Sequence, residues 1–482
     1  MDMNMPHDSR RRIVIVGGGF SGAAVALNLL HKLDPAAASV TIIEPRALLG
    51  AGLAYSAPDP AHRVNVSAIR LLVLPGQPGV FDAWLRQSGE LESDPDALLP
   101  DGRAFPRRAV FGRYMDRVLR EAAAAPGAVQ FTHVQARAER IARHHDGYDI
   151  RLDNGGAIAA DLIVLAVSHP PPAVPAPLRA VADETKFIAD PWRKDALARI
   201  KSWDRVLIIG TALSTADAVA TLQAAGHVGE IVAISRRGLV SRLRPRVPTV
   251  YFGDFATAPS RTARELLRRV RETIAAAEQQ GSCWEAVIER IREQGTAIWS
   301  ALPEAEKHRF LRHLRPYWDV HRYQLAPPLA AVCAARAQAG LFRTLAARLI
   351  SVSREFGGFR VILRRRGAAV TQAHRFDAII NCTGPDHARA LQTNPALGSL
   401  AEAGLLRADA FGLGVATDLS ARALDARGQP VDTLFVAGPL ARAAFGELMG
   451  LPQVTHHAAL VAEQIEQAVV SRLSSGFAIF SG

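Results

Sequence analysis

Arg12 to Gly22 reads RIVIVGGGFSG. Ile13 to Val16 is a short, fully apolar run of the kind that becomes a buried parallel strand. It breaks into Gly17, Gly18 and Gly19, then enters an Ala- and Leu-rich helix through Phe20, Ser21 and Gly22. The spacing G-x-G-x-x-G on Gly17, Gly19 and Gly22 serves a tight turn, close approach of backbone to a pyrophosphate, and close packing of helix on strand. The helix N-terminus offers unpaired N–H groups and a positive dipole end to phosphates. A second apolar run, Val40 to Ile43, ends in Glu44. A carboxylate in that place accepts hydrogen bonds from the hydroxyls of an adenosine ribose. Strand, helix, strand and terminal acid in this order predict dinucleotide binding.

The 482 residues around this stretch suffice for two or three domains. A composition of 49% hydrophobic and 21% charged residues is that of an ordinary soluble globular chain. The net charge of +11 raises the question of a nucleic-acid or membrane partner. The basic residues are scattered, however, and only five of the 57 are Lys. That pattern fits an Arg-rich codon bias, with a basic entrance for an anionic cofactor or substrate, and neither a nucleic-acid nor a membrane partner is expected. Cys283, Cys333 and Cys382 form no C-x-x-C pair, which argues against a disulfide framework and a dithiol redox centre. No Cys/His cluster has metal-ligand spacing, so no metal is expected. Ser9 to Arg12 followed by the uncharged run Ile13 to Leu30 imitates a twin-arginine signal or a membrane span. Three consecutive glycines within a nucleotide fold argue against both, and the expected location is cytoplasmic.

Further along, helices are predicted from Gly79 and within Phe105 to Leu119. Short strands follow at 129–134, 138–142 and 148–152, with turns at Asp146-Gly147 and Asn154-Gly155. Asp161 to Val167 reads as another buried parallel strand, followed by a Pro-rich linker from Ser168. A second nucleotide unit then begins. Val206 to Ile209 is a strand, GTALST at Gly210 to Thr215 stands in place of the glycine fingerprint, and a strand at 231–234 ends in Ser235-Arg236-Arg237. Two arginines there, with no acid, suit a 2′-phosphate and favour NADPH over NADH, or else form only a solvated basic turn. Thr262 to Gly340 is mostly helical and basic, an insertion or cap on that unit. Within it Arg315, His321 and Arg322 crowd among aromatic residues, a mixture that suits an anionic small ligand or simple packing. A last apolar strand, Phe376 to Asn381, stops at Cys382-Thr383-Gly384-Pro385. Thr433 to Val436, Gly438 and a helix from Gln453 repeat the strand–glycine–helix order, which suits the ring end of a flavin.

These segments together, GGGFSG, HRVNVSA, FPRRAVFGRYM, LIIGTALSTAD, AISRRG, HLRPYWDVHRYQLAP, INCTGP and FVAGP, resemble the FAD/NAD(P)-binding oxidoreductases related to class B flavoprotein monooxygenases, over roughly residues 10 to 470. Members are similar to enzymes that reduce FAD with NADPH and use oxygen to hydroxylate a nucleophilic nitrogen. One branch N-oxygenates aspartate to nitrosuccinate. The resemblance implies FAD held by Gly17, Gly19, Phe20, Ser21, Gly22 and Glu44, with Gly384 and Gly438 also at cofactor, and NADPH at Gly210, Ser214, Arg236 and Arg237. It places Asn65 near the flavin ring and makes Arg315 or Arg322 a fork for a substrate carboxylate. Three departures stand out. FIADPW, Phe187 to Trp192, lacks the Gly and His of the related F-x-G-x-x-x-H; Ala166-Val167-Ser168 replaces Ala-Thr-Gly; and Pro439, not an acid, follows Gly438.

The expected fold is α/β, a flavoprotein of two dinucleotide-binding domains. Residues 1–195 and 376–482 are expected to build the FAD domain, and 196–375 the NAD(P)H domain with a helical insertion at about 255–340. The leading function is an NADPH-using FAD monooxygenase acting, with molecular oxygen, on a small nitrogen-bearing metabolite such as an amino acid. A flavin dehydrogenase or reductase without oxygen insertion, and a non-catalytic redox-sensing flavoprotein, are the alternatives. His62, His169 and His321 are candidate proton handlers. Substrate identity and oligomeric state stay open.

Overall fold

The structure is a computed structural model that describes residues 10–145, 147–167, 169–245 and 250–479. Ser9, Asp146 and Ser168, singled out above, lie outside the described residues.

The first sheet has six strands in the order Arg422–Leu424, Pro430–Val436, Leu162–Leu165, Arg11–Val16, Ala38–Ile43, Gln130–Val134. All pairs are parallel except the outermost, Arg422–Leu424 against Pro430–Val436. Ile13 to Val16 and Leu162 to Leu165 are buried throughout, as strands covered on both faces must be. The helix Phe20–Lys32 buries every residue from Ser21 to Leu30. It lies against the sheet on one side and the C-terminal helix Gln453–Ile479 on the other. Its small residues, GAAVA at 22–26, let both neighbours come close. A three-stranded antiparallel meander, Ala138–His144, Gly147–Leu152 and Ala157–Ala160, stands beside this sheet.

The second sheet has seven strands: Gln372–Phe376, Gly358–Arg365, Phe342–Glu355, Ile231–Ser235, Val206–Ile209, Ala378–Asn381 and Phe187–Ile188. Here the expected boundaries need correction. Residues 187–188 and 378–381 were placed with the FAD domain, yet both pair in this sheet, Ala378–Asn381 directly on Val206–Ile209. The run Phe376 to Asn381 reads as one strand but is two. Asp377 breaks it, its carboxylate accepting the Arg205 N–H at 2.8 Å. Phe376 ends an antiparallel hairpin strand, and Ala378 starts a fully buried parallel one. The second unit is therefore entered near Pro172 and left near Pro385, which pair with each other as an antiparallel bridge.

The helical insertion lies in the crossover between Ile231–Ser235 and Phe342–Glu355. Its helices run from Ala263–Gln279 to Pro327–Gln338. Thr262 caps the first, its hydroxyl accepting from the Glu265 N–H. Phe255, Leu266, Val287 and Trp299 form a core that also takes in Leu413 and Ala443 from the C-terminal part of the chain. The insertion thus bridges to the first unit.

Candidate active site

The first glycine turn opens a cleft of about 460 Å³ lined by Gly17, Gly19, Phe20, Ser21, Glu44 and Arg46 on one side. Gly22 lies behind it. A Cβ on Gly22 would run into the Gly17 carbonyl oxygen, so the helix can approach the turn only because this residue has no side chain. Glu44 is buried; one carboxylate oxygen accepts the Gly18 N–H at 3.0 Å, the other the Arg46 N–H and its guanidinium at 2.9 Å. The helix after this turn has no side-chain cap at Gly19, and neither does the helix Leu213–Ala224 at Ala212. Uncapped N–H groups facing a long cleft, with an acid at the end of the next strand, fit the adenosine and pyrophosphate of FAD.

At the far end, Gly438 packs on Ser21, and its N–H donates to His457 Nδ1 at 3.2 Å. Burial pushes the His457 imidazole down to about 3, so it stays neutral. Pro439 and Leu440, with Met449 to Leu451, complete the wall.

In the second unit, Gly210 has φ +129° and a Cβ there would collide with the Cys382 carbonyl. Arg236 is exposed, and Arg237 lies 5.4 Å over the Tyr317 ring of the insertion. Gly384 follows the strand Ala378–Asn381, so it belongs with the second sheet and not with the C-terminal part of the FAD domain where sequence placed it. Its neighbour Pro385 lines the space between the units.

That space is a cavity of about 320 Å³. The first unit contributes Tyr55 and Asn65, the second Asp190, Trp192, Ser214 and Asp217. Leu53 to Tyr55, His169 and Met449 line both this cavity and the first cleft, so the two are contiguous. Three buried arginines, Arg244, Arg292 and Arg322, face it. Arg322 is held by Glu447, and Arg292 bonds Glu289 at 2.8 Å. Among the described residues Arg244 has no carboxylate partner; its Nε donates to the Asn65 carbonyl at 2.5 Å. Burial, then Arg292 and Arg70, push Arg244 down to about 9. Burial alone would raise Glu289, but Arg292, Arg70 and Arg244 outweigh it and hold the carboxyl at about 2.

Of the two arginines proposed as a carboxylate fork, Arg322 reaches this cavity and Arg315 does not. Arg315 pairs with Asp319 at 3.4 Å and lines a separate cavity within the insertion. His62 is buried against Trp192 with Nε2 3.1 Å from the Thr221 hydroxyl, and His321 contacts the Tyr317 carbonyl at 2.7 Å; neither lines the central cavity. Sequence reading missed Arg244 and Arg292. Glu289 and Arg292, at i and i+3 of one helix, were the signal available for the latter. It also missed the bridge between units, Arg108 to Asp217 at 2.8 Å, with Arg108 stacked over Trp192.

Residues 14–170 match the family model described as FAD-NAD(P)-binding. The N-terminal third of the chain belongs to the FAD-NAD(P)-binding family. A 36-residue stretch of this FAD-NAD(P)-binding chain, 8% of its length, is 56% identical to the sulfide dehydrogenase (flavocytochrome c) flavoprotein chain of Chlorobaculum thiosulfatiphilum and covers 71% of it. Across the whole fold it is similar to the ornithine N-hydroxylase of Kutzneria sp. 744, with a TM-score of 0.65 at 16% identity over 96% of this chain and 99% of that one. It is also similar to the ornithine hydroxylase of Pseudomonas aeruginosa in its reduced form, with a TM-score of 0.64 at 16% identity over 95% of this chain and 99% of that one. The fold is the flavoprotein fold of two dinucleotide-binding domains. Among the described residues no helix is long and apolar enough to cross a membrane.

Proposed function

We propose that the chain is an FAD-dependent, NADPH-using monooxygenase that hydroxylates the nitrogen of a small carboxylate-bearing metabolite such as an amino acid. The observation that carries the reading is the central cavity. It is contiguous with the FAD cleft, bounded by the second glycine helix through Leu213 and Ser214, and faced by three buried arginines. The Kutzneria neighbour is described with reduced FAD, NADP⁺ and L-ornithine, and the shared fold supports the same placement of ligands here.

FAD, when bound, supplies the redox chemistry. The chain's own part is to bind and orient. Arg244, Arg292 and Arg322 hold the substrate carboxylate by charge-assisted hydrogen bonds. Asn65 lines the same cavity and positions the amine. Trp192, Tyr55 and Leu213 close it against water. Arg236 and Arg237 take the 2′-phosphate of NADPH.

The test is NADPH oxidation by the yellow holoprotein across the common amino acids, with oxygen-isotope analysis of product. A substrate that stimulates oxidation and leaves with one labelled oxygen on nitrogen supports the proposal. Stimulation without label in any product overturns it in favour of a reductase. That second reading has its own observation. The segment FIADPW lacks the glycine and the histidine of the related oxygenases' F-x-G-x-x-x-H, and its Asp190 and Trp192 line the cavity.

A further inference from the structure

The helical insertion and the C-terminal part of the chain together frame a second cavity, of about 600 Å³, within the usual ~300–1,000 Å³ range of small-molecule pockets. Its walls are apolar: Leu266, Val270, Ile274, Ile291, Trp299 and Phe310 are representative. It meets the central cavity at Tyr323 and Met449, which line both.

One charged group at its edge is unaccounted for. Arg442, in the short helix Arg442–Phe445 after the Gly438 turn, is 7% exposed. Among the described residues its side chain makes no hydrogen bond and no ion pair, and its Nε is buried without a partner. The other charges nearby are occupied. Arg315 pairs with Asp319, and Glu447 with Arg322. Asp409 accepts from the backbone N–H groups of Phe411 and Leu413. Asp319 and Asp409 act on Arg442 only from beyond ion-pair distance. A buried guanidinium without an anion is unfavourable in the free protein and is resolved when one arrives. Its planar fork matches a carboxylate.

We propose that this cavity binds an apolar monocarboxylic acid, its hydrocarbon body among the helices of the insertion and its carboxylate on Arg442. The carboxylate site on Arg442 is distinct from the three arginines of the adjoining central cavity, and its binding is measured without turnover, so it stands or falls apart from the oxygenase reading.

The probe is decanoate, titrated calorimetrically into the FAD-loaded protein below its micelle concentration, with decan-1-ol and decylamine as controls. The expected result is saturable, one-to-one decanoate binding at least tenfold tighter than either control. Arg442→Met is expected to weaken decanoate at least tenfold and to raise the melting temperature of the unliganded protein, since it removes an unpaired buried charge. Absence of saturable decanoate binding, equal binding of the alcohol, tighter binding of the amine, or wild-type affinity in Arg442→Met overturns the proposal. Should Arg442→Met not fold, Val270→Trp fills the cavity away from the arginine. It is expected to abolish decanoate binding, and retained affinity there overturns the proposal equally.

Discussion

Gly22 and Glu289 illustrate two ways in which one residue constrains this molecule. At Gly22 the constraint is room. The methyl of Gly22→Ala meets the Gly17 carbonyl oxygen, and helix and turn must separate. Such overpacking costs about 1–3 kcal/mol, and the separation falls at the Gly17–Gly19 wall of the cleft, where the proposed FAD would place its pyrophosphate. Flavin absorbance per unit of purified protein should fall severalfold, which gel-filtered preparations would reveal directly. At Glu289 the constraint is charge. Its carboxyl is held at about 2 against an ordinary 4.5, so its contribution to stability is complete above pH 4.5 and disappears as pH falls through about 2. The shift corresponds to about 3 kcal/mol. Urea denaturation of wild type and Glu289→Gln should therefore differ by about that much at neutral pH and converge as the solution is acidified toward pH 2. A gap that stays constant with pH would remove the charge network as its cause.

Among the elements, the helix Leu213–Ala224 joins the two units through Asp217, whose carboxylate takes the Arg108 guanidinium at 2.8 Å with both partners largely buried. Removing one member of such a pair costs about 3–5 kcal/mol. Asp217→Ala should lower the melting temperature well beyond Thr262→Ala, where loss of one cap costs about 1 kcal/mol and is confined to the insertion. Differential scanning calorimetry of the two variants makes the comparison. How far sequence reached also divides by element. The strands at Ile13 and Val206 and their helices were legible because each is a continuous apolar run closed by a glycine turn, and the strand at Val40 because its run ends in Glu44, all local signals. The break at Asp377 was not. An aspartate second in FDAIIN looks like the tolerated edge of one strand, and only the pairing of Ala378–Asn381 with Val206–Ile209 separates it from the hairpin. The arginines of the central cavity were hidden for a related reason. Arg244 lies in a loop and Arg292 on an amphipathic helix, where an arginine ordinarily meets water, and burial there depends on elements distant in the chain.

For the whole molecule, the second unit must bring its nicotinamide cofactor to the flavin of the first. In the reading proposed here Arg236 and Arg237 receive its 2′-phosphate, and Arg237 already lies against Tyr317 of the insertion. Replacing both by alanine should raise the KM for NADPH by about tenfold or more, the loss of one or two charge-assisted hydrogen bonds, and leave the KM for NADH within about twofold. Steady-state flavin reduction with each nucleotide tests this, and equal losses for both would dismiss the 2′-phosphate contact.

The paired connectors at Pro172 and Pro385 have a practical corollary. Because the chain departs and returns at one spot, everything between them is a cassette with adjoining ends. Joining residue 171 to residue 386 through a short glycine bridge would delete the cassette without severing any strand of the six-stranded sheet, while uncovering the faces that now meet it: Leu413 and Ala443 under the insertion, the core side chains packed on Ala220, Ala326 and Leu329, and Arg108 and Glu447, which lose their partners. Such a miniature should still turn yellow with FAD while ignoring nicotinamide nucleotides altogether, and transplanting a cassette from another flavoprotein between the same two prolines becomes a simple piece of engineering.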